Sequence, residues 1–337
     1  MGKIEHVVII VKENHTFDNY FGTFAGANGE KVNIAPNPPD TDPHHDHKTW
    51  MNRAGETRYH LQYRQGDIPA YFNYARHFTL CDNYYSEVAG PSTPNHLMLI
   101  CADAPIINNP HDHYRPGPGT RYELSSLPMA LEKAGLTWAN YGGYAFGYIA
   151  ELVGHHNNHG RDMFAKHAAA GNLPAVSWVY GDGKPDRSEH PRQNVTDGMA
   201  WTAEQVDAIV KGGLWGSTAI FVTWDDWGGW FDHVTPPVVE TWDSSRAQRP
   251  ADAFPEFNGE PFRYGSRVPC LVISPYAKQG HVSSVLHSHV SLVKFCETAF
   301  GIPPLNDRDA QADDMSDCFD FTQRPAAAPR AKSGHGA

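Results

Sequence analysis

Residues 4–11, IEHVVIIV, are dominated by Val and Ile and end in an unbroken apolar run, VVIIV. A half-buried strand alternates apolar and polar residues, and this one does not. It therefore reads as a central strand covered on both faces, which calls for a parallel sheet with helices on each side. The run ends abruptly at Glu13-Asn14. In open α/β sheets the carboxyl ends of strands are where ligands and metals are held, so that ending is either a solvated strand terminus or part of a site.

The rest of the chain repeats the alternation. LTWANYGG (136–143), LPAVSWVYG (173–181), TAIFVTW (218–224) and VPCLVISPY (268–276) read as further strands. Helical patterns lie at 66–78, with Asp67 as expected N-cap and Pro69 in the first turn, and at 94–102, 125–135, 200–213 and 289–301, the last closed by Gly301. Strands alternating with helices predict an α/β fold with a mainly parallel sheet. Residues 23–60, rich in Pro, Asn, His and Gly, predict a long loop. One domain is expected over residues 1–320, with a disordered tail at 321–337.

A net charge of −11 without a long Lys/Arg run argues against nucleic acid as a partner. A phosphate-bearing ligand would need positive charge from elsewhere, such as a metal ion. Twenty histidines offer ligands and proton donors, although many histidines simply sit at the surface. The five cysteines are odd in number, widely spaced and without a CxxC, so they are expected to be reduced and incidental. No stretch approaches the ~20 apolar residues of a membrane span. No signal-peptide pattern is present, and a cytoplasmic location is expected, with a mature secreted form equally compatible.

Three places carry candidate chemistry. Glu13-Asn14 and Asp225-Asp226 end apolar strands, and Ser92-Thr93 stand where a Gly-Pro-Ser-Thr turn feeds a helix. Taken singly, each acidic pair is as readily a solvated strand end and each hydroxyl an ordinary turn residue. Taken together, they offer oxygen ligands for Ca²⁺, Mg²⁺, Mn²⁺ or Zn²⁺ beside a nucleophile activated by a helix N-terminus.

The motifs ENHTFDNYFG, GPSTPNH, SEHP, DDWGGWFDHVTPP, GSRVPCLVISPYAKQG and HVSLVKFCE, in that order, resemble those of the bacterial phospholipase C and acid phosphatase family of phosphoesterases. The resemblance implies an alkaline-phosphatase-like α/β sandwich and hydrolysis of phosphate esters through a phosphoserine, with one divalent metal ion. It implies metal ligation by Glu13, Asn14, Ser92, Asp225 and Asp226, with Ser92 as nucleophile. His190 of SEHP and His45 of DPHHDH correspond to catalytic, phosphate-contacting histidines, with His44 and His47 competing for the latter position. Asn95 is implied as a further substrate-binding residue. His233 and His289 fall in motifs without an assigned role; His111, His113, His155, His156 and His159 are open between metal binding and exposed loops.

The leading expectation is a phosphomonoesterase acting on a small phosphate ester, since no lipid-binding segment is evident. The alternative is a phospholipase C-like diesterase acting on a phospholipid headgroup, for which Trp224, Trp227 and Trp230 would offer cation–π faces if they are not core. A sulfatase is disfavoured, because the GPSTPN turn has no Cys. A non-catalytic metal- or phosphate-binding protein of the same fold is the third reading. Gly228 and Gly229 read as turn residues, there being no phosphate-cradle pattern around them.

Overall fold

The computed structural model describes residues 2–110, 116–181 and 186–329. The expected first strand is β1, His6–Lys12, with Val7 to Val11 fully buried. It pairs in parallel on both sides, with Val176–Tyr180 and with Thr218–Trp224. The absence of polar alternation is thereby explained, since no face of β1 reaches water.

The strands of the large sheet in chain order are β1, β2 (Thr79–Cys81), β3 (Trp138–Tyr141), β4 (Asn158–His159), β5 (Val176–Tyr180), β6 (Thr218–Trp224), β7 (Cys270–Ile273) and β8 (His281–Ser283). In space they run β8-β2-β7-β6-β1-β5-β3-β4. All are mutually parallel except β7, which is antiparallel to both neighbours. The helices form two contacting groups. Pro69–His77 and Met163–Ala169 pack on Val195–Lys211, while Ser92–Cys101 packs on His289–Phe300 and Leu127–Lys133. No helix among the described residues is long and apolar enough to cross a membrane.

Several local expectations differ in detail. Ile68, not Asp67, is the N-cap of Pro69–His77, because the Asp67 carboxylate instead accepts the N–H of Arg64. The fourth long helix begins earlier than its apolar periodicity, at Val195, because Asn194 caps it by accepting from the N–H groups of Thr196 and Asp197. The 23–60 loop contains a short helix, His47–Met51, capped by Asp46. The chain also stays packed beyond residue 320: Phe321 stacks on Phe319, and the N–H of Ala326 bonds Pro275. Part of the expected tail thus keeps contacts with the body of the fold as far as Ala326, and residues 330–337 lie outside the described residues.

Candidate active site

β1 and β6 are neighbours and parallel, so their carboxyl ends deliver Glu13-Asn14 and Asp225-Asp226 to one place. Asn14 has φ of +63°, a left-handed conformation that Asn tolerates better than most residues. That bend points its N–H at Asp225 Oδ1, 2.8 Å away, which also accepts the N–H of Asp226 at 2.7 Å. The two strand ends are thus tied through one carboxylate oxygen.

Ser92 opens the fully buried helix Ser92–Cys101, with Pro91 at the cap position. Its Oγ donates to Asp226 Oδ2 at 2.9 Å and lies 3.4 Å from Asn14 Oδ1. The positive end of the helix dipole therefore sits at the hydroxyl, where it favours developing negative charge. One turn on, His96 places Nε2 3.2 Å from Asp225 Oδ2 and 3.6 Å from Glu13 Oε1. Burial pulls the His96 imidazolium pKa down, and the two carboxylates more than reverse this, raising it to about 10. Burial and the adjacent Asp225 push Asp226 well above the usual carboxylate range.

His96 and the two carboxylates that it faces lie at ionic distances without aligned hydrogen bonds. Glu13 Oε2, Asp225 Oδ2 and both ring nitrogens of His96 are buried with no hydrogen-bond partner. Lys12 does not neutralise the carboxylates, since its ammonium turns the other way, to Glu189 at 3.1 Å. Three carboxylates converging on a buried hydroxyl, with orphaned oxygens between them, fit a divalent cation. Donor atoms of Glu13, His96 and Asp225 lie within 4.8 Å of one another, consistent with that reading.

Gly228 closes the approach from the Asp226 side, donating its N–H to Asp226 Oδ1 at 2.7 Å. It has φ of +57°, and a Cβ there would stand 2.1 Å from the carbonyl oxygen of Asn14. The glycine is therefore a turn residue as expected, and its lack of a side chain is what lets the two strand ends meet. Gly228→Ala is expected to displace Asn14 and lower metal affinity and kcat/KM by about 10- to 100-fold, measured by metal titration and steady-state kinetics. Unchanged values for both would show that the close approach does not matter.

The sequence matches the Phosphoesterase family over residues 4–42 and 33–303. The chain belongs to that family. Among curated proteins it is 29% identical to a non-hemolytic phospholipase C of Pseudomonas aeruginosa, over 94% of this chain and 57% of that relative, so it spans little more than half of that protein. It is 27% identical to phospholipase C B of Mycobacterium tuberculosis, over 96% of this chain and 78% of the relative. Among solved structures, human ectonucleotide pyrophosphatase / phosphodiesterase 5 superposes with a TM-score of 0.51 at 9% identity, covering 89% of this chain and 96% of that one. The fold is the expected alkaline-phosphatase-like α/β sandwich with a mainly parallel sheet.

In this Phosphoesterase family member the structure brings together Glu13, Asn14, Ser92, Asp225 and Asp226. Of the three competing histidines it favours His45, whose Nε2 is 3.4 Å from Asn14 Nδ2 while Nδ1 faces the Pro43 carbonyl at 2.7 Å. His44 is exposed, and His47 is buried against the Ala89 carbonyl. His190 is half-buried on a turn held beside the site, where the N–H of Glu13 bonds Ser188.

Asn95 is a correction. Its Oδ1 accepts the N–H of Val88, and its Nδ2 donates to the carbonyls of Val88, Gly90 and Pro91. The carboxamide is spent on holding the turn that presents Ser92, which leaves none of it for substrate. The tryptophans are largely core as well: Trp224 packs on Tyr20 and Tyr71, and Trp230 stacks on His15.

His289 has a role that the sequence left open. Burial lowers its pKa to about 4, so the neutral ring donates through Nε2 to the carbonyl of Asp225 at 2.6 Å and accepts from the Tyr84 hydroxyl at Nδ1. His233 bonds Asp18, whose charge with that of Asp232 is met by Arg267. His155 pairs with Glu132, His156 stacks on His155, and His159 lies on edge strand β4, three strands from β1. His111 and His113 lie outside the described residues. Sequence reasoning missed His96, although its spacing of four from Ser92 on a helix was the available signal.

Proposed function

We propose that this chain hydrolyses phosphodiesters of the phospholipid-headgroup type by transfer to Ser92. The observation that carries the reading is the Ser92 hydroxyl, buried at a helix N-terminus between Asp226 and Asn14. Of the two substrate classes left open by the sequence, the diester is preferred because the relatives above are named phospholipases C. A cavity of about 650 Å³ adjoins the site through His44, Trp227 and Gly229, with Tyr59, Trp230 and Phe231 in its wall. It offers room for a leaving group larger than water, with aromatic edges in its wall.

A divalent cation held by Glu13, Asn14, Ser92, Asp225 and Asp226 supplies Lewis acidity toward the phosphoryl oxygens and lowers the pKa of the serine hydroxyl. The chain does the rest. Ser92 Oγ attacks phosphorus in line; the new Oγ–P bond forms as the ester P–O bond breaks, and the serine proton leaves along its hydrogen bond toward Asp226. To His45 and His190, both half-buried, falls the task of bonding phosphoryl oxygens and giving the departing alcohol its proton. Water then attacks the phosphoserine and restores Ser92.

The test is hydrolysis of p-nitrophenyl phosphorylcholine and p-nitrophenyl phosphate by one metal-reconstituted sample. The diester is expected to turn over faster, and EDTA is expected to abolish both activities, with recovery on adding metal. Turnover of the monoester alone would make the chain a phosphatase. Activity that survives exhaustive chelation would remove the cation from the mechanism.

A further inference from the structure

The cysteines, expected to be incidental, are not scattered in space. Cys81 ends β2, and Cys318 lies in the Ser316–Cys318 turn near the chain end. Their Sγ atoms are 3.7 Å apart. His287, just before the helix His289–Phe300, brings Nε2 to 4.0 Å from Cys318 Sγ. All three side chains are buried, and their donor atoms lie within 4.8 Å of one another.

We propose that Cys81, Cys318 and His287 form a second, structural metal centre for a thiophilic divalent ion of the zinc class. The separation of the two sulfurs suits an edge of a tetrahedral site. Ligands about 2.3 Å from zinc place two sulfurs about 3.8 Å apart at a tetrahedral edge, and the observed separation is 3.7 Å. His287 Nδ1 lies 3.2 Å from Asp313 Oδ1, a carboxylate where a ligating histidine has its outer partner, and Nε2 faces Cys318 Sγ together with Ser283 Oγ at 3.3 Å. Asp317 Oδ1, 3.1 Å from His287 Nε2 and 3.6 Å from Cys318 Sγ, stands at the fourth position. Cys270, opposite Cys81 in the β7–β2 register, adds a third thiol on the same side of the sheet.

The centre is separate from the catalytic one. β2 is two strands from β6, whose end carries Asp225. It would join segments around residues 81, 287 and 318, which are far apart in sequence. It would also anchor the start of the helix whose first residue, His289, holds the Asp225 carbonyl. Chelation should therefore loosen the catalytic site from outside it. Nothing in this inference depends on which phosphate ester the chain cleaves.

Cobalt is the discriminating probe, because only a sulfur-ligated ion gives an intense near-ultraviolet thiolate-to-cobalt charge-transfer band. The reduced full-length chain, titrated with CoCl₂ to saturation, is expected to develop that band and lose it on adding ZnCl₂. Ser92→Ala should keep the band, since the catalytic donors are oxygen and nitrogen, and Cys318→Ser should diminish it. His287→Gln should weaken cobalt binding at this band at least tenfold. Absence of the band in the reduced wild-type chain would overturn the proposal, whatever the variants do. So would an intact mass two hydrogens light in protein purified without oxidant, which would mark Cys81 and Cys318 as a disulfide.

Discussion

Ser92→Ala is expected to lower kcat by about 10⁵-fold or more, the scale seen when a covalent nucleophile is deleted. The fold should survive, because the change removes one hydroxyl at the start of a helix whose ten residues are all buried. Four of the five proposed metal ligands remain, so cation binding should weaken without vanishing. The pairing of lost turnover with retained metal is what distinguishes a nucleophile from a residue that merely shapes the site. It is checked by single-turnover kinetics alongside metal titration. Activity within a few per cent of wild type would move the nucleophile elsewhere. The neighbouring hydroxyl, Thr93 Oγ1, is already engaged with Tyr144 at 3.0 Å, which makes it the poorer candidate and Thr93→Val the control.

The second large effect concerns stability. Lys12 ends the central strand, and its ammonium is fully buried among Glu189 Oε1 at 3.1 Å, the carbonyls of Arg187 and Gly198, and Thr202 Oγ1. Glu189 in turn accepts from the hydroxyls of Tyr20 and Tyr71 and from the indole N–H of Trp224. Burial pushes the lysine pKa down and the glutamate pKa up, so each charge depends on the other for its place in the core. Lys12→Met would leave Glu189 buried and uncompensated, a loss of about 3–5 kcal/mol. A fall in Tm of roughly 10 °C follows. Because Glu189 precedes His190, the SEHP turn should loosen and kcat fall with it. Adding Glu189→Gln to Lys12→Met should recover part of the lost stability, since the orphaned charge is gone. A Tm unchanged in the single variant would show that the pair contributes nothing.

This network also explains a feature the motifs could not. SEHP resembles a catalytic segment because of His190, yet Glu189 beside it is wholly internal and has φ of +66°. Its work is to fasten the turn to the end of β1, and the sequence alone gives no sign that Lys12 is its partner, 177 residues away. The same holds for His289, which reaches the backbone of Asp225 through a helix start remote in sequence. Long-range pairing of polar groups carries no periodicity, and periodicity is what a single sequence displays.

Other features were legible. The unbroken Val/Ile run of β1 dictated burial on both faces, and the alternation of strand and helix pointed to the mainly parallel sheet, while the sandwich was implied by the resemblance. The strand-end pairs Glu13-Asn14 and Asp225-Asp226 were visible because an apolar run that stops in carboxylates is unusual on its face. Their convergence with Ser92 came from the resemblance, and the parallel register of β1 and β6 is its physical cause. Asn95 was misread because a polar residue beside a nucleophile looks the same in sequence whether it faces substrate or its own backbone.

By itself, then, the sequence determined what depends on neighbours along the chain: the buried strands, the helix that the Ser92-Thr93 turn feeds, the turn at Gly228-Gly229 and the kinds of ligand available. Only the tertiary structure decided which polar groups share a volume. It put His45, and not His44 or His47, beside Asn14, turned Lys12 away from Glu13 and toward Glu189, brought His96 to Glu13 and Asp225 and drew Cys81, Cys318 and His287 into one cluster. The reason is that a charge or a ligand acts over a few ångströms of space, and the fold, through strand order and register, sets those distances.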